Sequence, residues 1–533
     1  MTRAVAAAGP GALSPSACTA TVMPYFGDVA ASDPSRMAIV DPARGGVSFG
    51  ELRATVGRLS NAFAREGVEV GDRIVAMMPN RREYFELRLT AEECGLYFVP
   101  VSPQLTGREL AHVLEDSRAR FVFVEASALE RVRDTIRGAG LTPAQIIVLD
   151  GDDAAGRSYR SFHAGLPPEA PPVGVRGEFM GYTSGTTGVP KAVRKPLRDG
   201  RPGVAAGLVG FFGQLGMSPG SGVHLAALPL YHAAPGRQAV TALHFGHTVV
   251  VAAHLSAADQ LALIARYRVT TVFTVPTVIG RWLRLPPKVR DAHDLSSLKA
   301  VVHGGAPCPV EIKRAAIAWL GPIVTEFYGA TEGVATAVTA AEWLDRPGTV
   351  GRAITGSSVH ILDAAGTELP PGTVGMVYFR PPASFEYLND PAKTAGAHRG
   401  DLITVGDLGH LDAEGWLFLA SRRGDIVISG GVNVYPAEVE GVLSGHPSVV
   451  DAAVLGIPDD DWGERVVALV VLEQGVAADD ATRSGLETYC RAHLAACKVP
   501  RDIRFVDHLS RTTSGKLQRS DLPERYRSLC GGN

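Results

Sequence analysis

Residues 180 to 191 read Met180-Gly181-Tyr182-Thr183-Ser184-Gly185-Thr186-Thr187-Gly188-Val189-Pro190-Lys191. This stretch places four Ser or Thr hydroxyls, three glycines and one lysine within twelve positions. Glycines let backbone N–H groups approach an anion closely, hydroxyls add donors, and a lysine supplies a point charge. The stretch therefore predicts a loop that binds the phosphates of a nucleotide triphosphate, formed by Thr183, Ser184, Gly185, Thr186, Thr187, Gly188 and Lys191.

The spacing within this loop differs from that of the common nucleotide triphosphatase loop. Gly185, Gly188 and Lys191 are three positions apart, and no Gly-Lys-Ser/Thr ending follows. A GTPase-like interpretation loses weight for that reason. A flexible surface turn rich in Ser, Thr and Gly is the alternative, so other segments must decide between the two.

Composition describes an ordinary globular chain. Of 533 residues, 46% are hydrophobic and 20% are charged, which is enough for two or more domains with their own cores. The formal net charge is -3, so no overall basic field draws the chain to nucleic acid or to anionic lipid. We expect no nucleic-acid partner, and any anion site must be built locally.

The cysteines and the N-terminal residues indicate a cytoplasmic protein. The six cysteines lack paired or metal-ligand spacing, which is typical of reduced thiols. Residues 1–20 are rich in Ala, Gly and Ser without a continuous apolar core, so we expect a loose terminus and not a signal peptide. No run of 18 apolar residues is long enough to span a bilayer.

Helical and strand-like patterns alternate along most of the chain. Leu52, Val56, Leu59 and Phe63 fall on one face of a helix, and the apolar run 73–78 that follows reads as a strand. The same order recurs between residues 257 and 275. This alternation predicts an α/β fold of helix-covered sheets, with further strands near 119–124, 145–149 and 248–252.

A change of composition near residues 421–436 predicts the main domain boundary. We place a large N-terminal domain at 1–423 and a small, mobile α+β domain at 424–533. The small domain should hold a helix from Ala437 and strands near 449–455 and 465–472. A helix over 483–496 should follow, with its inward face formed by Leu486, Cys490, His493 and Leu494.

Three further segments carry residues suited to a nucleotide. Tyr328 and Glu332 lie on one predicted turn after the strand 323–325, where an aromatic ring can stack on a base and a carboxylate can hold Mg²⁺. Gly304-Gly305-Ala306-Pro307 follows the strand 300–302 and permits the close approach of a flat ligand. A solvated glutamate, a half-buried tyrosine and a simple turn are the alternatives.

Two more positions have an ordinary interpretation by local sequence. Asp407 is an acceptor suited to ribose hydroxyls, with Arg422 as a nearby donor, although each alone reads as a surface charge. Lys516 lies in the polar loop 512–518, where a solvated lysine on a hairpin tip is favoured. Local sequence alone gives these residues no role.

Taken in order, four segments resemble the adenylate-forming superfamily of acyl-CoA synthetases, peptide-synthetase adenylation domains and luciferases. The segments are 182–191, 326–332, 405–440 and 511–516, and the resemblance covers nearly the whole chain. After Lys191, most relatives have Gly and then a Thr-His pair, whereas this chain has the basic-Pro ending 192–197. That ending is most similar to an actinobacterial branch of fatty-acyl-CoA synthetases.

The resemblance implies a role for each nucleotide-binding residue. Tyr328 would lie against adenine, with the backbone of Gly304, Gly305 and Ala306 as the other wall of the slot. Asp407 would hold the ribose hydroxyls beside Arg422. Thr331 would contact the α-phosphate, and Glu332 would serve Mg²⁺.

The resemblance also implies a reaction. ATP would activate a carboxylic acid as acyl-AMP with release of pyrophosphate, and the thiol of CoA would then take the acyl group. Lys516 would reach from the small domain to the carboxylate and the α-phosphate. The small domain would then rotate about Gly424, where relatives usually carry Asp or Lys, and present Gly430 and Gly431 to admit the thiol.

Several points stay open at this stage. The acid is expected near His232, His303 and Gly329, and both an aliphatic chain and a flat aromatic acid are compatible with the small residues there; His232 could equally be a packed polar residue. A carrier-protein thiol or an amine is an alternative acceptor, and a small oxyacid is an alternative substrate. The non-enzymatic alternative is a nucleotide-binding regulatory protein, and the presence of Glu332 and Lys516 disfavours it. A homodimer is compatible with the sequence.

Next to the phosphate loop, Arg194 and Lys195 form a basic pair. A solvated pair is the favoured interpretation. Attraction of CoA phosphates is the alternative.

Overall fold

A computed structural model describes residues 23–105, 107–151, 157–183, 190–422, 424–429, 432–459, 461–512 and 517–530. Among the helices it describes, none combines the length and the apolar character needed to cross a bilayer. Strands and helices alternate through the first four hundred residues, as the sequence predicts.

The first part of the chain builds a six-stranded sheet in the order β7-β6-β5-β3-β4-β9, in which every pairing is parallel. The elements of this part of the chain, of which β1, β2, β8 and β10 pair in other sheets, are α1 (Phe26–Ser32), β1 (Met37–Asp41), β2 (Gly45–Ser48), α2 (Phe49–Arg65), β3 (Arg73–Met77), α3 (Arg82–Glu93), β4 (Tyr97–Val101), α4 (Gly107–Ser117), β5 (Phe121–Val124), α5 (Ala126–Gly138), β6 (Ile146–Val148), β7 (Arg157–Ser158), α6 (Tyr159–His163), β8 (Val175–Arg176), β9 (Glu178–Phe179) and β10 (Gly181–Thr183).

Both faces of this sheet are buried, and alternation along β3 shows why. Ile74 and Ala76 pack into the largest core with α2, while Val75 and Met77 pack into a second core with α4 and α5. Successive side chains of a strand point to opposite faces, so a sheet with helices on both sides needs an apolar residue at every position. Leu52, Val56, Leu59 and Phe63 of α2 are all buried, as their spacing predicts.

The second part builds a nine-stranded sheet in the order β19-β18-β17-β16-β15-β13-β14-β1-β2, parallel at its centre and antiparallel at both edges. The elements of this part of the chain, of which β11 and β12 pair outside the large sheet, are β11 (Lys191–Arg194), β12 (Arg198–Asp199), α7 (Ala206–Gln214), β13 (Val223–Ala226), α8 (Ala233–His244), β14 (Thr248–Val251), α9 (Ala257–Tyr267), β15 (Thr271–Thr274), α10 (Pro276–Arg284), α11 (Pro287–Arg290), β16 (Ala300–His303), α12 (Val310–Leu320), β17 (Val324–Gly329), β18 (Val334–Val338), α13 (Ala340–Asp345) and β19 (Arg352–Ala353).

This sheet brings two predicted glycine segments to one edge. β16 and β17 are adjacent and parallel, so Gly304 and Gly329 follow the same carboxyl edge, where open α/β sheets bind ligands. Tyr328 lies inside β17 and not on a turn after it, which corrects the predicted strand end at Thr325. The strand continues because Glu326, Phe327 and Tyr328 pair with the antiparallel β18.

A small antiparallel sheet with the order β23-β24-β21-β25-β26, and with β20 on β21, closes the large lobe. Its elements are β20 (Val359–Leu362), β21 (Gly375–Phe379), β22 (Glu386–Tyr387), α14 (Pro391–Ala397), β23 (His398–Arg399), β24 (Leu402–Ile403), β25 (Asp407–Leu411) and β26 (Leu417–Arg422). β22 pairs instead with β11, which joins the phosphate-loop hairpin β10-β11 to this region.

The C-terminal residues form an α+β lobe with its own two cores. It consists of β27 (Val427–Ser429), β28 (Val432–Val434), α15 (Pro436–Ser444), β29 (Val449–Asp459), β30 (Gly463–Leu472), α16 (Asp480–His493), β31 (Asp502–Phe505) and α17 (Leu522–Cys530). α15 and α16 cover one face of its sheet, and α17 covers the other. Leu486 and Cys490 of α16 are buried as predicted, but His493 is exposed, because α16 ends there and its ring bonds the carbonyl of Tyr489 at 2.8 Å.

Candidate active site

Three residues from distant segments form a hydrogen-bonded chain at the carboxyl edge of the large sheet. The Tyr328 hydroxyl donates to Asp407 Oδ2 at 2.7 Å, and Arg422 Nε donates to Asp407 Oδ1 at 2.9 Å. Asp407 and Arg422 are register partners on β25 and β26. Burial raises the pKa of Tyr328 well above its ordinary value, and the Asp407 carboxylate adds to this rise, so the phenol stays a donor. We call these three residues the Tyr–Asp–Arg corner.

Glu332 lies in the turn between β17 and β18, close to this corner in sequence, and its side chain is buried. The Tyr387 hydroxyl donates to Glu332 Oε1 at 2.8 Å, and no hydrogen bond from the described residues reaches Oε2. Burial and then the Glu332 charge raise the pKa of Tyr387, which keeps that hydroxyl protonated as well. Tyr387 thus fixes one carboxylate oxygen and leaves the other for a ligand.

A single carboxylate suits Mg²⁺ better than it suits a protein-only metal cage. Mg²⁺ in nucleotide sites takes one or two carboxylates, and water and phosphate oxygens complete its coordination. Within the described ranges, no group of three or more His, Cys, Asp or Glu side chains could hold a metal ion. Glu332 therefore fits a metal that arrives with phosphates.

The phosphate-loop segment connects the two strands of a hairpin. Thr183 and Lys191 are register partners on β10 and β11. Ser184, Gly185, Thr186, Thr187 and Gly188 lie outside the described residues. Of the predicted phosphate-binding residues, the structure therefore describes Thr183 and Lys191.

Lys191 meets two residues that the sequence analysis missed. Its Nζ donates to Asp390 Oδ2 at 3.1 Å, and the backbone N–H of Lys393 donates to Asp390 Oδ1 at 3.0 Å. The pKa of Lys393 is lowered to about 8, first by burial and then by the neighbouring Lys191, while Asp390 and Glu332 oppose the change. Lys393 therefore lies within electrostatic reach of Glu332.

Glycines at the ends of β16 and β17 are required by close backbone contacts. A Cβ on Gly304 would lie 2.8 Å from the carbonyl oxygen of Phe327, and one on Gly329 would lie 2.5 Å from that of Gly333. Gly305 has φ +80° and open space beside it, and Ala306 follows. The edge next to Tyr328 is thus built from backbone without side chains.

The two histidines predicted near the acid differ in their surroundings. His303 is fully buried, and its Nε2 lies 3.7 Å from Glu326 Oε2 in a cluster with Lys313 of α12. His232 is half-buried as the N-cap residue of α8, next to the ring of Tyr231. Burial lowers the pKa of His232 to about 4, so its imidazole is neutral at physiological pH. The structure brings His232, but not the His303 ring, to an accessible position.

In the small lobe, Lys516, Gly430 and Gly431 lie outside the described residues. The base of the lysine loop is the bridge between Arg511 and Leu517, and Arg511 forms an ion pair with Asp451 at 2.6 Å. This pair holds the base of the loop against β29.

Among the described residues, no atom lies within 4 Å of the Cβ position of Gly424, and its φ is not in the left-handed region. A small side chain therefore meets no described neighbour here. Thr331 directly precedes Glu332 in the sequence, and its side chain is half-buried.

Signals for the missed residues existed, but they were local. Asp390 followed by Pro391 is a helix-start pattern, and Asp390 is indeed the N-cap residue of α14. Nothing in that pattern says that Lys191 faces it.

The expected solvated basic pair was wrong for Lys195, whose side chain is buried. Arg194 forms an ion pair with Glu386 at the surface.

Comparison with known proteins decides the family. The family model for the AMP-binding enzyme matches residues 26–387, and the one for the AMP-binding enzyme C-terminal domain matches residues 438–516. The chain belongs to the AMP-binding enzyme family. This confirms the resemblance inferred from the four segments, and the two-lobed architecture matches solved structures of such enzymes.

Relatives of this AMP-binding enzyme differ in their acids and acceptors. The chain is 31% identical over 491 residues to the fatty acid–[acyl-carrier-protein] ligase ScoC of Streptomyces coeruleorubidus, covering 90% of this chain and 92% of ScoC. It is 31% identical to a sulfoacetate–CoA ligase of Cupriavidus necator, covering 92% and 95%. The structure of ATP-bound MatB from Rhodopseudomonas palustris superposes with a TM-score of 0.81 at 29% identity, covering 95% and 99%. This AMP-binding enzyme is an AMP-forming ligase that uses ATP.

Proposed function

We propose that this AMP-binding enzyme is an acid–CoA ligase. A carboxylate oxygen of the acid attacks the α-phosphorus of ATP, the bond to the β-phosphate oxygen breaks, and pyrophosphate leaves. The CoA thiol then attacks the acyl carbon and AMP leaves. The observation that carries the proposal is the Tyr–Asp–Arg corner, which joins two of the four motif segments beside the buried Glu332.

The nucleoside is proposed to bind at this corner. The Tyr328 ring would pack against adenine, opposite the backbone of Gly304 to Ala306, and Asp407 would accept from the ribose hydroxyls. Asp407 is already held by a phenol and a guanidinium at 2.7 and 2.9 Å, so its orientation is set before ATP arrives. Preset geometry of this kind lowers the entropic cost of reaction.

The phosphates are proposed to lie between the loop and Glu332. Thr183 to Gly188 and Lys191 would hold the β- and γ-phosphates, and Thr331 would contact the α-phosphate. When bound, Mg²⁺ neutralises phosphate charge, and Glu332, oriented by Tyr387, would hold it. The hydrogen bond to Oε1 supports this role because it leaves Oε2 for the ion.

The small lobe is proposed to run both half-reactions. Lys516 would neutralise charge between the carboxylate and the α-phosphate in the first. Rotation about Gly424 would then present Gly430 and Gly431 to the thiol. The acid would lie near His232 and the Gly329 backbone, with the buried His303 of β16 nearby.

Exchange of labelled pyrophosphate into ATP tests the first half-reaction. A panel of aliphatic, aromatic and doubly charged acids is offered to the full-length protein, and consumption of CoA is then measured with the best acid. Exchange that depends on one class of acid, followed by thioester formation, is the expected result. If no acid supports exchange, the proposal is wrong.

A carrier-protein thiol is the second candidate acceptor, and the identity with ScoC favours it. A phosphopantetheinylated carrier protein, CoA and a simple amine are supplied in turn to the preformed acyl-adenylate. Faster transfer to the carrier protein than to CoA would replace CoA in the proposal. Exchange supported only by a small oxyacid would replace the carboxylic acid instead.

A further inference from the structure

Lys195 follows β11 directly, and its side chain is 8% exposed. Its ammonium has no hydrogen bond or ion pair with any residue in the described ranges. Lysine is almost never fully buried unless it is paired, because desolvating a charge is costly. The position therefore needs an explanation.

A second cation lies beside it. Arg237 is on α8, five residues after His232, and is half-buried. Its guanidinium also makes no hydrogen bond or ion pair within the described part of the chain, although Glu178 is within electrostatic reach. The pKa of Lys195 is lowered to about 7, first by burial and then by the nearby charge of Arg237, while Glu178 and Glu332 oppose the change. We call Lys195 and Arg237 the basic pair.

The carboxylates near the basic pair also serve other groups. The Glu178 carboxylate raises the pKa of both Lys195 and Arg237. Its Oε1 also lies 3.9 Å from Arg88 Nη2 and accepts a hydrogen bond from the backbone N–H of Phe179 at 2.9 Å. Arg176 adds another positive charge near Arg237. A buried cation without a partner carries a desolvation cost, which a lowered pKa, bound water or an anion offsets.

The direction of β11 places the basic pair on the side of the active site. Ala192 packs into the core under α4, whereas Val193 packs on the opposite face with Tyr328 and Tyr387. Lys195 is the first residue after β11, and continued alternation puts it on the Val193 face. The Glu332 carboxylate raises the pKa of Lys195, which agrees with that side. Arg237 approaches from α8, the helix that His232 begins.

We infer that Lys195 and Arg237 bind a second anionic group of the acid substrate, so that the acid this enzyme activates carries a carboxylate or sulfonate besides the carboxylate that reacts. The inference rests on the proposed function and names its substrate class. A plain fatty acid would bring no negative charge to either cation. A second anion would form charge-assisted hydrogen bonds with both, and these are the strong ones.

Acids matched in length but not in charge provide the test. The pairs are butyrate and succinate, hexanoate and adipate, and 4-methylphenylacetate and 4-carboxyphenylacetate. Pyrophosphate exchange gives kcat/KM for each acid with the full-length protein. We expect the doubly charged member of at least one pair to be better by about tenfold or more, the size of one charged hydrogen bond.

Variants of the basic pair test the assignment. In Arg237→Gln and Lys195→Met, the ratio of kcat/KM for the diacid to that for the monoacid should fall by about tenfold or more. The charge-keeping variants Arg237→Lys and Lys195→Arg should still prefer the diacid. Arg198 is the matched control, because it also lies within electrostatic reach of Lys195 but is exposed on β12. Arg198→Gln should keep the wild-type ratio.

Three results would overturn the inference. Wild-type protein could prefer the monoacid of every pair. The variants could lose both acids of a pair in equal proportion. They could instead raise KM for ATP or CoA while keeping the ratio, which would make the basic pair a phosphate site.

The wild-type panel and the charge-keeping variants decide the matter even if a neutral variant fails to fold. Exchange with monoacids alone overturns this inference and leaves the proposed function standing. No exchange with any acid overturns both.

Discussion

The Tyr–Asp–Arg corner and the basic pair treat buried charge in opposite ways. At the corner, both oxygens of Asp407 are occupied, one by a phenol at 2.7 Å and one by a guanidinium at 2.9 Å. At the basic pair, neither cation has a bonded partner among the described residues, and each repels the other. The carboxylate of the corner has its partners within the protein, whereas the inferred partner of the two cations is an anion of the ligand.

This difference assigns different work to the two regions. A carboxylate held on both sides is rigid, which suits a group that positions a nucleotide shared by the whole family. A cation pair without a protein partner keeps its full attraction for a ligand charge, which suits discrimination between acids. Changes at the corner should therefore affect every acid alike, while changes at the basic pair should affect the choice of acid.

The largest effect is expected for Lys516→Ala, which tests which residue supplies the positive charge needed for adenylate formation. The predicted cations of the large-lobe site are tied to carboxylates, Lys191 to Asp390 and Arg422 to Asp407. Lys516→Ala should then slow adenylate formation about a hundredfold or more, the cost of one well-placed charged donor. Thioester formation from a preformed acyl-adenylate should persist. Equal loss of both half-reactions would refute the role of Lys516, and unchanged adenylation would move that role to the basic pair.

Asp407→Asn tests whether the corner serves the nucleotide alone. The amide keeps the shape but loses the charge that Arg422 and the ribose hydroxyls use, so KM for ATP should rise about tenfold. The preference between diacid and monoacid, measured by pyrophosphate exchange, should stay at the wild-type ratio. A changed preference would show that the two regions are not separate.

Gly424→Pro tests whether the small lobe must move between the two half-reactions. Proline fixes φ, so transfer to the thiol should slow several-fold more than adenylation does. Gly424→Ala is the milder control, because nothing lies within 4 Å of its Cβ position in the present arrangement. Stopped-flow measurement of each half-reaction separates them, and unchanged thioester kinetics in the proline variant would remove Gly424 from the hinge.

The smallest effect is the part of the pH dependence of stability that Lys195 contributes. The pKa of Lys195 falls from 10.5 to about 7 on folding, so between these values the unfolded chain binds more protons than the folded one. Stability from this group therefore rises with pH above about 7, by at most about 1.4 kcal/mol per pH unit. The Tm of the wild type should therefore increase relative to the Tm of Lys195→Met as the pH rises from about 7 to about 9.

Arg237→Gln sharpens this measurement. Without the neighbouring charge, the pKa of Lys195 should be higher, and the rise in Tm should begin at a higher pH. Parallel Tm curves for wild type and Lys195→Met would contradict the unpaired state of the lysine.

Local sequence predicted the elements well where one face is repetitive. The spacing of Leu52, Val56, Leu59 and Phe63 gave α2, and the run from Arg73 gave β3. The end of β17 was wrong, because Glu326 to Tyr328 pair with β18, a partner that no local pattern contains. His493 was wrong because α16 ends where the predicted helix continued.

By itself, the sequence determined the order of the strands and helices, the adenylate-forming family and the residue types of its site. Only the tertiary structure decided that Tyr328 meets Asp407 across 79 positions, that Tyr387 and Asp390 join the site, and that Lys195 is buried beside Arg237. The physical reason is range. Periodicity and backbone sterics act over a few residues, whereas desolvation and charge pairing depend on which distant segments the fold brings into contact.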